Sequence, residues 1–292
     1  MRNMKRIAIV LAAALVTGVA IFYACEKEHI TNPVTGTPQE AIVEEKDYEA
    51  QIEELIAFTG IDIYKLSELE EVQKVADKQV RMMNLAQEKG TLTDAKKTQI
   101  KTFTQSIQNE YNKGNYEKVL KEYESLSAIC MTVDGFIPEM NKYGVQTFTY
   151  DPNKASVQIP VTYIETQRAT AATVTNAIQT ASPQFATLAA PIQTQVVTAT
   201  LYTSMQRSIM ASSQAKEQCK TCREKAKEAY DLDCAKLLAT ATAGMAVCGA
   251  IGWTPIGWAC AAYVSGKFIS GCIDANDVYN YRVKLCDLQG YY

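Results

Sequence analysis

Histidine is almost missing from this chain: among 292 residues there is one, His29. That scarcity rules out Ser-His-Asp and Cys-His nucleophile arrangements, and with them zinc sites built on several imidazoles. A surplus of positive charge is missing too. Lys and Arg number 29 against 32 Asp and Glu, for a net charge of −3. Without a basic stripe there is no electrostatic footprint for nucleic acid. No apolar heptad runs long enough to argue a coiled coil. Charge of either sign thins out in two stretches. From Ala155 to Ala215 only Glu165, Arg168 and Arg207 are ionic, and Leu237 to Gly266 carries none. Neither a metal ligand set nor a cofactor motif is found, so no metal, cofactor or nucleic-acid partner is expected.

What is present begins at the N-terminus. Arg2, Lys5 and Arg6 precede an apolar run from Ile7 to Ala24, and Cys25 follows. A basic start, an apolar stretch and a small residue before a cut form a secretory signal. With cysteine at the cut, this segment resembles the lipoprotein signal peptides of bacteria, in their looser Bacteroidota form. Phe22 and Tyr23 stand where the usual box has Leu and then Ala or Ser. The resemblance implies removal of residues 1–24, lipidation of Cys25 and a palmitate-bearing membrane anchor. Glu26, Lys27 and Glu28 resemble the Lys-plus-acidic signal that sends some of these lipoproteins to the cell surface. An uncleaved N-terminal transmembrane anchor is the competing reading. Residues 25–39, with Pro33, Gly36 and Pro38, lack apolar periodicity and read as a tether.

Three sections follow. Residues 40–135 are charged and helical. Ser67-Glu68-Leu69-Glu70 forms a capping box opening one helix, with Gly90 placed to close it. Leu69, Val72, Val75, Ala76, Val80, Met83 and Leu85 recur at three- and four-residue steps along it. A second helix from Asp94 to about Asn112 and a third from Tyr116 to Met131 complete the section. Residues 140–215 are low in charge and rich in Ala, Thr and Gln. Val145–Tyr150 and Ser156–Tyr163 alternate around Asp151-Pro152-Asn153 as a short β-hairpin. Pro160 confines the second strand to an edge or a bulge. Helices follow, one of them a candidate for a single run from Ile192 to Ala229.

Residues 216–292 form a cysteine-rich helical module. Cys222, Cys234 and Cys248 lie before Trp253-Thr254-Pro255-Ile256-Gly257, and Cys260, Cys272 and Cys286 mirror them after it. A chain folding back near residue 254 would pair Cys222 with Cys286, Cys234 with Cys272 and Cys248 with Cys260. Cys130 and Cys219 are left to bridge this module to the first section. In an exported protein thiols readily become disulfides. Eight cysteines nonetheless allow about 105 pairings, so spacing alone leaves the connectivity open. At about 100° per residue the three cysteines of either arm spread over roughly 120° of helix. A ladder would therefore need local breaks near Asp231–Asp233 or Asp274–Asp277.

The uncharged run raises a membrane reading, with Trp253 and Trp258 at the lipid interface. Pro255 divides the run into arms of roughly 18 and 11 residues, short of the ~20 a span needs, which favours burial inside the module. Cys219-Lys220-Thr221-Cys222, Cys234, the Gly244–Gly252 segment around Cys248, Pro255 and Cys260 are similar to the cysteine-rich domain of halocin-like bacteriocins. That resemblance covers residues 216 to 287 and implies antimicrobial or membrane-active behaviour. The Cys219-x-x-Cys222 pair lies in a charged helical run instead of following a strand, which makes thiol–disulfide oxidoreduction a distant reading.

The sequence therefore predicts a mainly α fold: a helical N-terminal section, a short β-hairpin and a C-terminal disulfide-stapled antiparallel helical hairpin. The expected role is non-enzymatic structural or binding work for an outer-membrane, surface-exposed lipoprotein, its partners being the membrane and an unidentified envelope component. The alternative is a bacteriocin-like effector carried by residues 216–292.

Overall fold

The computed structural model describes residues 38–87, 93–131, 145–148, 157–214, 221–251 and 254–288. Along the chain these form α1 (Pro38–Thr59), α2 (Ile63–Leu66), α3 (Glu70–Gln87), α4 (Asp94–Asn112) and α5 (Tyr116–Met131). A hairpin of β1 (Val145–Phe148) and β2 (Val157–Pro160) comes next, then α6 (Val161–Ala181), a 3-10 turn at Pro183–Thr187 and α7 (Ala190–Gln214). Two long helices, α8 (Cys222–Ile251) and α9 (Pro255–Leu288), finish the described chain. The mainly helical fold with a C-terminal stapled hairpin is as the sequence predicts.

Local chemistry sets the helix ends and corrects several expected boundaries. Gly60, at φ 67°, closes α1, and its amide donates to the Ile56 carbonyl at 2.8 Å. Asp62 caps α2 by accepting from the Lys65 amide at 3.0 Å. Ser67 does not open a helix. It closes α2, its amide donating to Ile63 and its hydroxyl to the Tyr64 carbonyl at 2.6 Å. The tight Asp62–Ser67 turn claims that hydroxyl before α3 can use it. Helix α3 starts instead at Glu70, with Glu70 and Glu71 stabilising the positive end of its dipole. Thr93, not Asp94, caps α4, accepting from the Lys96 amide at 3.4 Å. The α4–α5 corner needs a left-handed residue, and Gly114 supplies it at φ 76°.

Strands β1 and β2 pair antiparallel, Val145 opposite Pro160 and Phe148 opposite Val157. The second strand is shorter than expected, stopping at Pro160 before α6 begins at Val161. Proline has no N–H for a ladder and suits a strand's end. The single run imagined from Ile192 to Ala229 is two helices, α7 and α8. Gly90 and the Asp151-Pro152-Asn153 turn lie outside the described residues.

The interior has two apolar clusters. One gathers Ile100 and Ile107 of α4, Tyr123 and Leu126 of α5, and Trp258, Tyr263 and Ile273 of α9. The other gathers Ile63, Val72, Val174, Phe185, Leu201 and Met205 with Ala235 and Ala239 of α8. Helix α8 enters both: Met245 and Cys248 belong to the first cluster, Leu238 and Ala243 to the second. Helix α6 likewise enters both, through Ala171 and Val174. Fully burying each Ile, Leu or Phe contributes about 1.5–3 kcal/mol, so the clusters outweigh surface ion pairs at about 0–1 kcal/mol each. Polar contacts fix register more than they add strength. Lys97 of α4 pairs with Asp277 of α9, and Lys101 with Asp274 at 2.7 Å. Buried Gln79 of α3 donates to the Thr242 hydroxyl of α8 at 3.1 Å.

Candidate functional site: the cross-linked helix pair

Helix α8 opens on a cap that sequence reading missed. Thr221 accepts from the Glu224 amide at 3.3 Å, and Glu224 accepts from the Thr221 amide at 2.8 Å. This reciprocal pair is a capping box, legible in the Thr-x-x-Glu spacing. It begins the helix at Cys222, so that cysteine stands on the first turn facing the end of α9.

There the outer rung closes. Cys222 and Cys286 form a disulfide with Cα atoms 5.7 Å apart. Their neighbours reinforce it: Arg223 donates through Nε and Nη2 to Asp287 Oδ1 at 3.0 and 2.5 Å. With its sulfur bonded to Cys286, Cys222 is not paired with Cys219. The latter lies outside the described residues.

The inner rung joins Cys248 and Cys260, with Cα atoms 5.5 Å apart. Arg168 of α6 lies across Gly249 and donates from Nη2 to its carbonyl at 3.3 Å. A cation at the C-terminal end of α8 also suits the helix dipole. On the other side of the turn Thr254 caps α9, accepting from the Gly257 amide at 3.2 Å. Pro255 occupies the first helical position, where its missing N–H costs no bond.

The middle rung differs from the expected disulfide. Cys234 and Cys272 are free thiols, Cys234 buried and Cys272 half-buried. Cys234 stands 12 residues from Cys222 and Cys272 stands 14 from Cys286. The two-residue mismatch staggers this pair by about 3 Å along the helices, whereas the flanking rungs are level. The neighbouring Cys234, together with burial, holds the Cys272 thiol well above its usual range. Tyr230, one turn before Cys234, lies beside both sulfurs, and burial followed by Cys234 pushes its hydroxyl up as well. The Tyr230 and Tyr279 rings pack at 5.3 Å between centroids. No break interrupts either helix, contrary to expectation: α8 and α9 run 30 and 34 residues through Asp231–Asp233 and Asp274–Asp277.

Trp258 corrects a second expectation. It is 2 % exposed, packed in the α4–α5–α9 cluster, and so is withdrawn from any lipid interface. The apolar flank of α9 is covered by α4 and α5, which leaves an indole no route outward. Trp253 lies outside the described residues, as do Cys25, Glu26, Lys27 and Glu28. The side chain of Cys130 on α5 and the whole of Cys219, the expected Cys130–Cys219 bridge, lie outside the described residues. By length and composition both α8 and α9 are apolar enough to cross a membrane, yet half and two-thirds of their apolar windows are buried. Among the described residues no three His, Cys, Asp or Glu side chains gather where they could hold a metal ion.

No family model, no curated protein and no solved structure matches this chain.

Proposed function

We propose that this is a lipid-anchored envelope protein whose work is structural or binding, with a disulfide-clamped helix pair as its rigid frame. The observation that carries this reading is the pair of bridges, Cys222–Cys286 and Cys248–Cys260, closing both ends of α8 and α9. Disulfides persist in oxidising compartments, in keeping with the signal-like segment that ends at Cys25. Lipid on Cys25 and the Glu26-Lys27-Glu28 signal would then place the frame on the outer membrane, facing outward. The clamped pair is shared by both apolar clusters, which suits a scaffold presenting its outer helices to an envelope partner.

The test is the mature N-terminus. Intact-mass and peptide analysis of the full chain expressed in a lipoprotein-processing host should find Cys25 first and acylated. Cys25→Ser should abolish the acyl mass and release the protein from membranes. An unmodified N-terminus, or a retained segment 1–24, would defeat the reading.

The membrane-active reading has one observation in its favour, the span-length apolar character of α8 and α9. It requires the pair to leave the core built around Trp258, Ile100 and Ile107. Dye release from anionic liposomes by the full chain is its measure, and intact vesicles would remove it.

A further inference from the structure

Between two closed bridges, α8 and α9 hold two thiols against one another. Cys222–Cys286 and Cys248–Cys260 fix the helices at either end, and the intervening helix is continuous on both sides. The seam is tight beside the thiols: a Cβ on Gly271 would lie 2.6 Å from the Leu237 side-chain carbon Cδ2. Gly271 adjoins Cys272, and Leu237 is one turn beyond Cys234. Cys234 and Cys272 are free thiols on facing helices in the middle of a seam clamped at both ends.

We propose that Cys234 and Cys272 are a dithiol modification site at which a small disulfide of the glutathione class closes a third interhelix bridge, reversibly, while the two flanking bridges stay shut. One thiol gives its proton to solvent base, and its thiolate attacks a sulfur of the oxidant. A mixed disulfide forms and one reduced thiol leaves. The second cysteine, deprotonated in turn, attacks the mixed disulfide at the first sulfur and expels the other reduced thiol. Two protein thiols are oxidised by two electrons, and one small disulfide becomes two thiols. The flanking bridges make the second step local, because they hold the attacking sulfur at its target. The stagger of about 3 Å must be taken up in the closed form, and a strained bridge is more readily reduced than a level one. The neighbouring Cys234 and burial keep the Cys272 thiolate scarce, and because closure consumes thiolate it is faster as pH rises.

The site draws on the proposed envelope location only for oxidising surroundings. Its chemistry is measured on purified protein, so failure of the location and failure of the site are distinguishable. Trypsin separates the rungs cleanly. Cys234 falls in 228–236 and Cys272 in 268–282, Cys222 in 221–223 and Cys286 in 285–292, while Cys248 and Cys260 share 237–267. The full chain is equilibrated in a series of glutathione buffers, quenched with acid, alkylated and mapped without reduction. The expected result is a 228–236 to 268–282 cross-link that opens at a ratio of reduced to oxidised glutathione roughly tenfold lower than either flanking bridge requires. Two alkylated thiols in the most oxidising buffer, a stable double glutathione adduct, or opening of all three bridges together would each overturn the proposal. In the single variants Cys234→Ser and Cys272→Ser the second step is blocked. At least one should then accumulate a glutathione adduct on its remaining thiol, and adducts on neither would also overturn it.

Discussion

Gly271 of α9 sits so close to Leu237 of α8 that a Cβ there would meet the leucine's Cδ2 at 2.6 Å and Cδ1 at 3.1 Å. Such a gap forces a choice between two opposing effects. Alanine improves helix propensity by about 1 kcal/mol over glycine, and the half-buried Leu237 can swing its end aside. Gly271→Ala is therefore expected to fall within about 1 kcal/mol of the parent. Gly271→Ile overpacks the seam and should cost about 1–3 kcal/mol. Leu237→Ala should recover part of that loss in the double variant. Urea denaturation of the four proteins in a double-mutant cycle checks the coupling, and strictly additive effects would place the contact elsewhere.

The two bridges should differ in strength because they close loops of different length. Their sequence separations are 64 and 12 residues. Loop-closure entropy then assigns about 4 kcal/mol to Cys222–Cys286 and about 3 kcal/mol to Cys248–Cys260. The paired variants Cys222→Ser/Cys286→Ser and Cys248→Ser/Cys260→Ser, unfolded in guanidinium, should rank in that order. The reverse order would mean that the denatured chain keeps residual structure near the hairpin tip.

Trp258 and Phe58 separate burial from hydrophobicity. Trp258 is 2 % exposed and Phe58 is 74 % exposed. Trp258→Ala should cost about 3–5 kcal/mol, whereas Phe58→Ala should stay within about 0.5 kcal/mol. Quenching of tryptophan emission by iodide offers a second reading with Trp253→Phe as background. Trp258 should be protected until the protein unfolds.

The α4–α5 corner should respond to acid. Asn115 and Lys113 donate to the Glu110 carboxylate at 2.7 and 3.0 Å, with Lys118 beside it. These contacts, the Asn115 bond foremost, lower its pKa from 4.5 to about 2. A depressed carboxylate stabilises the fold above its unfolded value, and that support is lost as pH falls through the folded one. The difference in Tm between the parent and Glu110→Gln should be full near neutrality and shrink from about pH 4.5 down to about 2. A difference that does not vary with pH would mean that packing, not charge, holds the corner. On the alkaline side, burial followed by Tyr116 pushes Tyr111 up to about 12. Its neutral hydroxyl suits the fold below pH 10, and stability should fall as pH rises from there toward 12.

Much of this architecture is legible in residue order because it is local. The helices Asp94–Asn112 and Tyr116–Met131 end where the sequence reading placed their ends. The Cys222–Cys286 and Cys248–Cys260 bridges fall where symmetry about one turn pairs them, whereas the same symmetry also paired Cys234 with Cys272, which are free thiols. What misled was also local. Ser67-Glu68-Leu69-Glu70 has the letters of a capping box, but the Asp62 turn uses the serine first. Tyr230, Tyr279 and Arg168 gave little sign of their roles, since each matters only through a neighbour distant in sequence.

The sequence by itself determined that the chain is mainly helical and that two helices turn back near Pro255, with cysteines in mirror order on either side. Periodicity and spacing suffice for that, because they record which residues share a helix face. The tertiary structure decided that Trp258 is core instead of interface, that α8 runs through both apolar clusters, and that Cys234 and Cys272 are free thiols. Those outcomes depend on which surfaces α4, α5 and α7 cover, and that is not written in the order of residues along either helix.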